Sequence, residues 1–305
     1  MYKQKFMRIW IVFTVAIILI PLLSMQVQAQ KTQTFNDTSS HWAQIEIDKW
    51  SGLGIIKGYD GEFRPNDNIK RAEIAVIVNR LMEYQETDES SFHDVKELSY
   101  YYDAILKMHA AGIMLGYEGY IRPDDFVTRE EAAVILARVL NMEEATKPST
   151  VFTDDASIST WAKGYIKQMQ DKGYVLGRND GMFQPKRNIT RAEFVKMLNN
   201  TVEKLFNNAG TYEGTVQGNV VVNTSDVTLK DMTVEGDLIL AEGIAEGDVT
   251  LDNVDIQGEL TIKGGGTESI YLKNGTKGKK IILAKAGNGI RIHDLCSSIQ
   301  NQVIR

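Results

Sequence analysis

Apolar side chains recur at helical spacing through residues 35–206, and they do so three times over. In each round a first helix carries Ile47 and Trp50, then Ile105 and Met108, then Ile166 and Met169 at matched places. A second helix follows, apolar at Ile74, Ile77, Val78 and Leu81, then at Ala132, Ile135, Leu136 and Val139, then at Phe194, Val195, Leu198 and Val202. These wide apolar faces demand burial against something large. Two helices joined by a loop cannot enclose a core alone. Three copies are therefore expected to pack their second helices about a pseudo-threefold axis, with grooves between neighbours.

The punctuation between the helices repeats as well. GIIKGYDGEFRPNDNIKRAE at 54–73 returns as GIMLGYEGYIRPDDFVTREE at 112–131 and GYVLGRNDGMFQPKRNITRAE at 173–193. A Gly ends the first helix, a Gly-centred turn follows, and Pro65, Pro123 or Pro185 forces an extended exit. Thr128 with Glu131 and Thr190 with Glu193 fit capping boxes, whereas Lys70 replaces the Thr in the first copy and predicts a weaker helix start. This spacing puts Arg71, Arg129 and Arg191 in the first helical turn. There the dipole and unpaired amides favour anions and disfavour a cation, so three such arginines imply a partner anion.

Beyond residue 210 the periodicity changes to short Val, Ile, Leu and Thr runs separated by Gly, Asp and Asn. DVTLKDMTVEGDLIL at 226–240 aligns with DVTLDNVDIQGELTI at 248–262, a repeat of about 22 residues suited to one coil of a solenoid. The predicted inward stack is Val227, Leu229, Met232, Val234, Leu238 and Leu240 over Val249, Leu251, Val254, Ile256, Leu260 and Ile262.

The order Phe-x-Asp, His41-Trp42-Ala43, Gly-Ile-Ile-x-Gly-Tyr-x-Gly-x-Phe-x-Pro and Ile-Thr-Arg-Ala-Glu resembles the S-layer homology (SLH) domain in its tandem set of three. The resemblance implies a multidomain chain: an all-α pseudo-threefold bundle of SLH repeats, here followed by a short all-β parallel β-solenoid. The solenoid is similar to the right-handed β-helices of bacterial surface proteins. It also implies non-covalent attachment to secondary cell-wall polysaccharide, often pyruvylated, on the peptidoglycan-associated wall, and location at the bacterial cell surface. Carried over by position, Arg71, Arg129 and Arg191 would contact the polymer's anion, and Gly58, Gly116 and Gly177 would let it approach the backbone. Trp42 and Trp161 would line the grooves, with Tyr100 standing where the second repeat lacks His-Trp-Ala. Arg178 takes the place of Tyr59 and Tyr117 in the third repeat, so the three grooves are expected to bind unequally.

Lys3, Lys5 and Arg8, then an apolar run from Ile9 to Leu23 broken by Pro21, then Val27-Gln28-Ala29, predict a secretory signal peptide over 1–29. The expected divisions beyond it are repeats at 30–86, 87–147 and 148–208, a solenoid at 211–292 and an irregular tail at 293–305. The 34 basic and 40 acidic residues give a formal charge of −6, and loss of the leader's three cations takes it to −9. That balance argues against a nucleic-acid partner. Cys296 stands alone, so no intramolecular disulfide forms, and His41, His93, His109 and His293 have no metal-ligand spacing; no cofactor is implied. Glycan hydrolysis would need two convergent carboxylates, and Asp226, Asp231, Asp237, Asp248, Asp252 and Asp255 each recur with the coil in turn-like places. The chain is therefore read as a non-enzymatic wall anchor with the solenoid as displayed or self-associating domain. The competing reading is a wall-anchored carbohydrate-active enzyme with its site on the solenoid.

Overall fold

A computed structural model of the chain describes residues 34–88, 92–285, 289–295 and 302–304. The leader and Cys296 lie outside the described residues. Six helices form the first part: α1 (Gln44–Gly52), α2 (Arg71–Met82), α3 (Tyr102–Ala110), α4 (Arg129–Val139), α5 (Thr160–Asp171) and α6 (Arg191–Thr201). Each repeat contributes a pair, and each second helix packs on the first helix of the next repeat: α2 on α3, α4 on α5 and α6 back on α1. The apolar positions read from the periodicity are all buried in one cluster, Ile47, Ile105 and Ile166 completely.

The three repeats are joined at their axis by backbone. The Val127 amide donates to Ile69 O (3.0 Å), the Ile189 amide to Val127 O (2.9 Å) and the Ile69 amide to Ile189 O (3.1 Å), closing a ring. All three side chains are fully buried, so water cannot substitute for these bonds. The segment reaches the axis because of the loop before it. Arg64, Arg122 and Gln184 have left-handed backbones (φ 59°, 58° and 58°) immediately before Pro65, Pro123 and Pro185. Each is held there by the Asp of the Phe-x-Asp signature. Asp37 accepts from the Phe63 and Arg64 amides (2.9 and 2.6 Å), Asp94 from Ile121 and Arg122 (3.1 and 2.7 Å), and Asp154 from Phe183 and Gln184 (2.8 Å each). Burial pushes Asp37 up, but these amides outweigh it and hold the carboxyl below the usual range.

The second part is a parallel β-solenoid. One face stacks β1 (Lys204–Phe206), β3 (Val220–Val222), β5 (Leu238–Leu240) and the ends of β7 (Asp255–Ile262) and β9 (Lys277–Leu283), continued by β11 (Gln302–Ile304). A second face stacks the start of β2 (Gly210–Val216) with β4 (Val227–Val234), β6 (Val249–Asp252), β8 (Ile270–Lys273) and β10 (Ile292–Leu295). The ends of β2 and β4 and the starts of β7 and β9 make the third. Every predicted inward residue lies in the solenoid core. Two expected limits differ. Strand β1 already belongs to the solenoid before residue 208, because Leu205 pairs in register with Val221. The expected irregular tail contains β10 and β11 in parallel register with the preceding coil, so the coil pattern continues into it.

The solenoid docks on the bundle. On its first face the outward side chains Leu205, Val221 and Ile239, with Ala241, join the helical core, although the strands' inward residues form a core of their own. The face also supplies donors to the ends of the three second helices. Asn223 Nδ2 donates to Arg80 O and Leu81 O of α2 (3.2 and 3.0 Å), Asn219 Nδ2 to Thr201 O of α6 (2.9 Å), and Lys263 Nζ to Val139 O of α4 (3.3 Å). C-terminal carbonyls without an intrahelical partner are thereby satisfied inside the protein, and an ammonium at a helix C-terminus is also favoured by the dipole.

Lys263 is 8% exposed, and burial pushes its ammonium down to about 8 against the opposing pull of Glu242. A folded value below the ordinary 10.5 means a penalty that is fully present below about pH 8 and relieved as the pH rises toward 10.5. Lys263→Met is expected to change stability relative to the native chain by about 1–3 kcal/mol more favourably at pH 7 than at pH 10.5. Urea unfolding at both pH values measures it; a difference independent of pH would show that the buried charge is not the source.

Candidate functional site

The first-turn arginines do find anions, and the anions are glutamates of the neighbouring repeat. Arg71 Nη1 meets Glu131 (3.4 Å), Arg129 Nη1 lies 3.9 Å from Glu193, and Arg191 Nη1 donates to Glu73, which closes the circle. Each Nε donates at 2.8 Å to a carbonyl of the neighbouring repeat's loop: Arg71 to Ile121, Arg129 to Phe183 and Arg191 to Phe63. Arg129 and Arg191 also sit over the Phe183 and Phe63 rings (5.1 and 4.6 Å). Arg71 and Arg129 are each only 8% exposed.

The expectation of unpaired helix-start amides is corrected by the same interfaces. Arg71 N and Ala72 N donate to Asp125 O and Pro123 O, Arg129 N and Glu130 N to Arg187 O and Pro185 O, and Arg191 N and Ala192 N to Asp67 O and Pro65 O. Loop carbonyls thus occupy the positions an external anion would have used. The glutamates serve twice, since Glu131 and Glu193 also accept from the Thr128 and Thr190 amides as capping boxes. In the first repeat Glu73 accepts from the Lys70 amide (2.8 Å), but the Lys70 ammonium turns outward to Asp124 (2.8 Å), so half of the box is missing. Burial raises the Glu193 pKa, but the Thr190 amide, Arg187 and Arg129 outweigh it and hold the carboxyl below its ordinary value.

Grooves open beside these interfaces. The first, of about 890 Å³, lies between the loop of the first repeat, helix α2, Tyr100 and Arg191. The second, of about 200 Å³, is the equivalent place one repeat on, with Arg71, Gly116, Tyr117, helix α4 and Trp161. Gly58 and Tyr100 therefore join Arg191, and Gly116 and Trp161 join Arg71, each set drawn from three repeats. At the third repeat's loop, Arg178 next to Gly177 and Arg129 of the second repeat share Glu193 (3.8 and 3.9 Å). Trp42 is exposed at the start of α1, the helix packed on α6, beside the His41 ring. The glycines have a structural reason of their own. A Cβ on Gly58 would lie 2.2 Å from Glu62 O and 2.4 Å from the Phe35 ring, and one on Gly116, at φ +69°, 2.9 Å from Tyr120 O.

Two arginines were missed from the sequence. Arg80 of α2 and Arg138 of α4 line the first and second grooves, and each donates Nη1 at 3.3 Å to the carbonyl of Ile55 or Ile113 at the loop's start. Neither forms an ion pair among the described residues, nor does Lys57 in the first groove, whereas the motif arginines are neutralised by glutamates. The signal was available: an Arg at the same distance after the motif Arg in two repeats, replaced by Asn200 in the third, whose amide donates to Tyr174 O.

The candidate carboxylates of the solenoid are mostly engaged between coils. Asp231 accepts from Asn253 (2.7 Å), Asp252 from Asn274 (2.5 Å), Asp237 from the Glu259 amide (2.9 Å) and Lys172 (2.9 Å), and Asp255 pairs with Lys277 (3.1 Å). Asp226 and Asp248 are both exposed and adjacent on successive coils, joined by the Asp226 amide donating to Asp248 O (2.8 Å).

The S-layer homology domain family matches at residues 34–75, 91–133 and 151–195. The chain carries three S-layer homology domains. They are followed by the β-solenoid, and the SLH part is a wall-anchoring module of a secreted, surface-located protein. An amylopullulanase of Thermoanaerobacterium thermosulfurigenes is 35% identical over 178 residues, 56% of this chain and 10% of that protein. The exoglucanase XynX of Acetivibrio thermocellus is 33% identical over 181 residues, 57% of this chain and 17% of its own. The surface-layer 125 kDa protein of Lysinibacillus sphaericus is 30% identical over 226 residues, 72% of this chain and 18% of its own. The chain thus spans less than a fifth of the length of each. The expectation of a non-enzymatic chain is overturned by relatives 27–35% identical over part of their length that are named as an amylopullulanase, an exoglucanase, an endoglucanase and an endo-1,4-beta-xylanase.

Arg129→Ala strips a buried cation from Phe183 O and Glu193 and is expected to cost about 2–4 kcal/mol of stability. The depressed Glu193 pKa contributes stability that is present above the ordinary carboxylate range and lost as pH falls through the folded value. Without Arg129 that value rises toward normal, so acid unfolding should begin at higher pH. Circular dichroism against pH checks both, and an unchanged acid midpoint would remove Arg129 from the account.

Proposed function

We propose that the chain is a wall-anchored carbohydrate-active protein, held by its SLH module to an anionic, pyruvylated secondary polysaccharide on the peptidoglycan-associated wall. The observation that carries the anchoring half is the first groove. Among the described residues its Arg80 and Lys57 form no ion pair, and they are set beside the exposed rings of Tyr59 and Tyr100 and next to Arg191. A pyruvate carboxylate needs a cation that the protein has not already neutralised, and a sugar ring needs an aromatic face. The motif arginines then position the groove walls and present their remaining N–H groups, while Arg80 and Arg138 supply net charge. Several grooves on one repeating polymer add avidity.

The carbohydrate-active half is supported by the names of the relatives and by one feature of the solenoid. Asp226 and Asp248 are exposed carboxylates on successive coils, joined through the backbone, and glycan hydrolysis uses a pair of carboxylates. They are the pair to test first.

Arg80→Ala in the full chain is expected to weaken binding to isolated sacculi by about tenfold, the loss of one charge-assisted contact of about 1.4 kcal/mol, with helical circular dichroism kept. Extraction of the secondary polymer should abolish binding; sedimentation that survives extraction would defeat the anchoring reading. For the second half, full-length protein incubated with wall glycan should release reducing sugars, and Asp226→Asn or Asp248→Asn should stop the release. Release unaffected by either change would move the centre away from this pair.

A further inference from the structure

A second cavity lies where the helical module meets the solenoid. It has a volume of about 350 Å³ and is bounded by Leu53 and Ile55 at the end of the first helix's turn, by Arg80, Glu83 and Gln85 at the end of α2, and by Asn207, Asn223, Thr224 and Gly243 of the solenoid. Arg80 lines both this cavity and the first groove, so the two are neighbours across one guanidinium.

The chemistry of the two spaces differs. The first groove carries unpaired cations and exposed aromatic rings. The junction cavity has no aromatic residue; it offers one cation, one carboxyl, three side-chain amides and a hydroxyl. Burial raises the Glu83 pKa and lowers that of Arg80, so either charge is costly here. A second acidic group placed here would face Glu83 as well as Arg80. The lining suits an uncharged ring bearing hydroxyl groups, and the volume exceeds what one sugar ring needs.

The walls are also fixed. Asn207 Nδ2 donates to Leu53 O (3.0 Å), Asn223 Nδ2 to Arg80 O and Leu81 O, and the Gln85 side chain to Glu83 O (2.6 Å). A Cβ on Gly243 would stand 2.2 Å from Asn223 O and 2.5 Å from Glu83 Cβ, so the solenoid approaches α2 as closely as backbone allows. The other two second helices end differently. Lys263 fills the place against α4, and Asn219, bonded to the Tyr174 hydroxyl (2.7 Å), closes the place against α6.

We propose that the junction cavity is a subsite for an uncharged, hydroxyl-bearing sugar residue next to the acidic residue held in the first groove, so that the solenoid takes part in gripping the wall polymer. This rests on the anchoring reading of the first groove. It assigns Thr224 and Asn223 a role in binding that lies outside the SLH repeats.

The experiment compares full-length Thr224→Trp, which fills the cavity, with Thr224→Ser, which keeps the hydroxyl, and with Lys57→Ala, which alters only the first groove. Isolated sacculi are the probe. Thr224→Trp is expected to weaken binding about tenfold while Thr224→Ser binds like the native chain. Native binding by Thr224→Trp together with weakened binding by Lys57→Ala would overturn the subsite and leave the groove standing. Native binding by both would overturn the subsite and the groove together. Should Thr224→Trp unfold, hydrogen exchange of the native chain decides: slowed exchange at the Thr224 and Gln85 amides on adding sacculi supports the subsite, and unchanged exchange there overturns it.

Discussion

Three backbone hydrogen bonds around one axis, Ile69 to Ile189, Val127 to Ile69 and Ile189 to Val127, are the constraint on which the helical module depends. A chain end can fray and a surface loop can vary, but a closed ring of buried amides cannot lose one member without leaving a donor and an acceptor unmet. The ring places each second helix's N-terminus against the following repeat's loop. From that placement come the amide contacts to Pro65, Pro123 and Pro185, the arginine contacts to Phe63, Ile121 and Phe183, and the walls of the grooves. The Asp of each Phe-x-Asp enables the ring by holding a left-handed residue just ahead of a proline, a conformation that the local chain resists.

The arginine cycle changes how binding must be thought about. A cation buried against a carbonyl and a glutamate is largely committed to the fold, and taking it away leaves an uncompensated carboxylate. Loss of wall binding after mutating Arg71 or Arg129 would therefore mix unfolding with lost recognition. Arg80 and Arg138 separate the two, because neither forms an ion pair among the described residues; each donates to a loop carbonyl, and Arg138 also lies over the Tyr165 ring (5.8 Å). The third repeat has Asn200 at that place, and its loop Arg178 is instead paired with Glu193 (3.8 Å).

The helices, the three-repeat plan and the solenoid's inward stack were legible because each rests on local periodicity. Ile47, Leu136 or Val249 reports its burial through its neighbours in the chain. The need of Arg71 for an anion was legible too, from its position in a first turn. What could not be read was that Glu131 supplies it, because that contact crosses between repeats and depends on the ring. Docking was hidden for a related reason. Val221 sits between Val220 and Val222 in a run of three valines, and nothing in the run says that its alternate side chain enters a second core. The Asn and Lys residues that end the helices, Asn219, Asn223 and Lys263, read in sequence as ordinary turn and edge residues.

That docking bears on how an anchor works. The three second helices begin at the axis, where repeats are bonded to one another, and end on the solenoid, where Asn219, Asn223 and Lys263 receive their last carbonyls. In the anchoring we propose, a pull on polymer in a groove would be resisted first by the arginine and loop contacts at the helix starts, and then along the helices into the solenoid. Because Leu205, Val221 and Ile239 belong to the helical core, separating the parts would expose apolar surface and three sets of helix carbonyls at once. The anchor and the solenoid therefore resist separation as one cooperative unit.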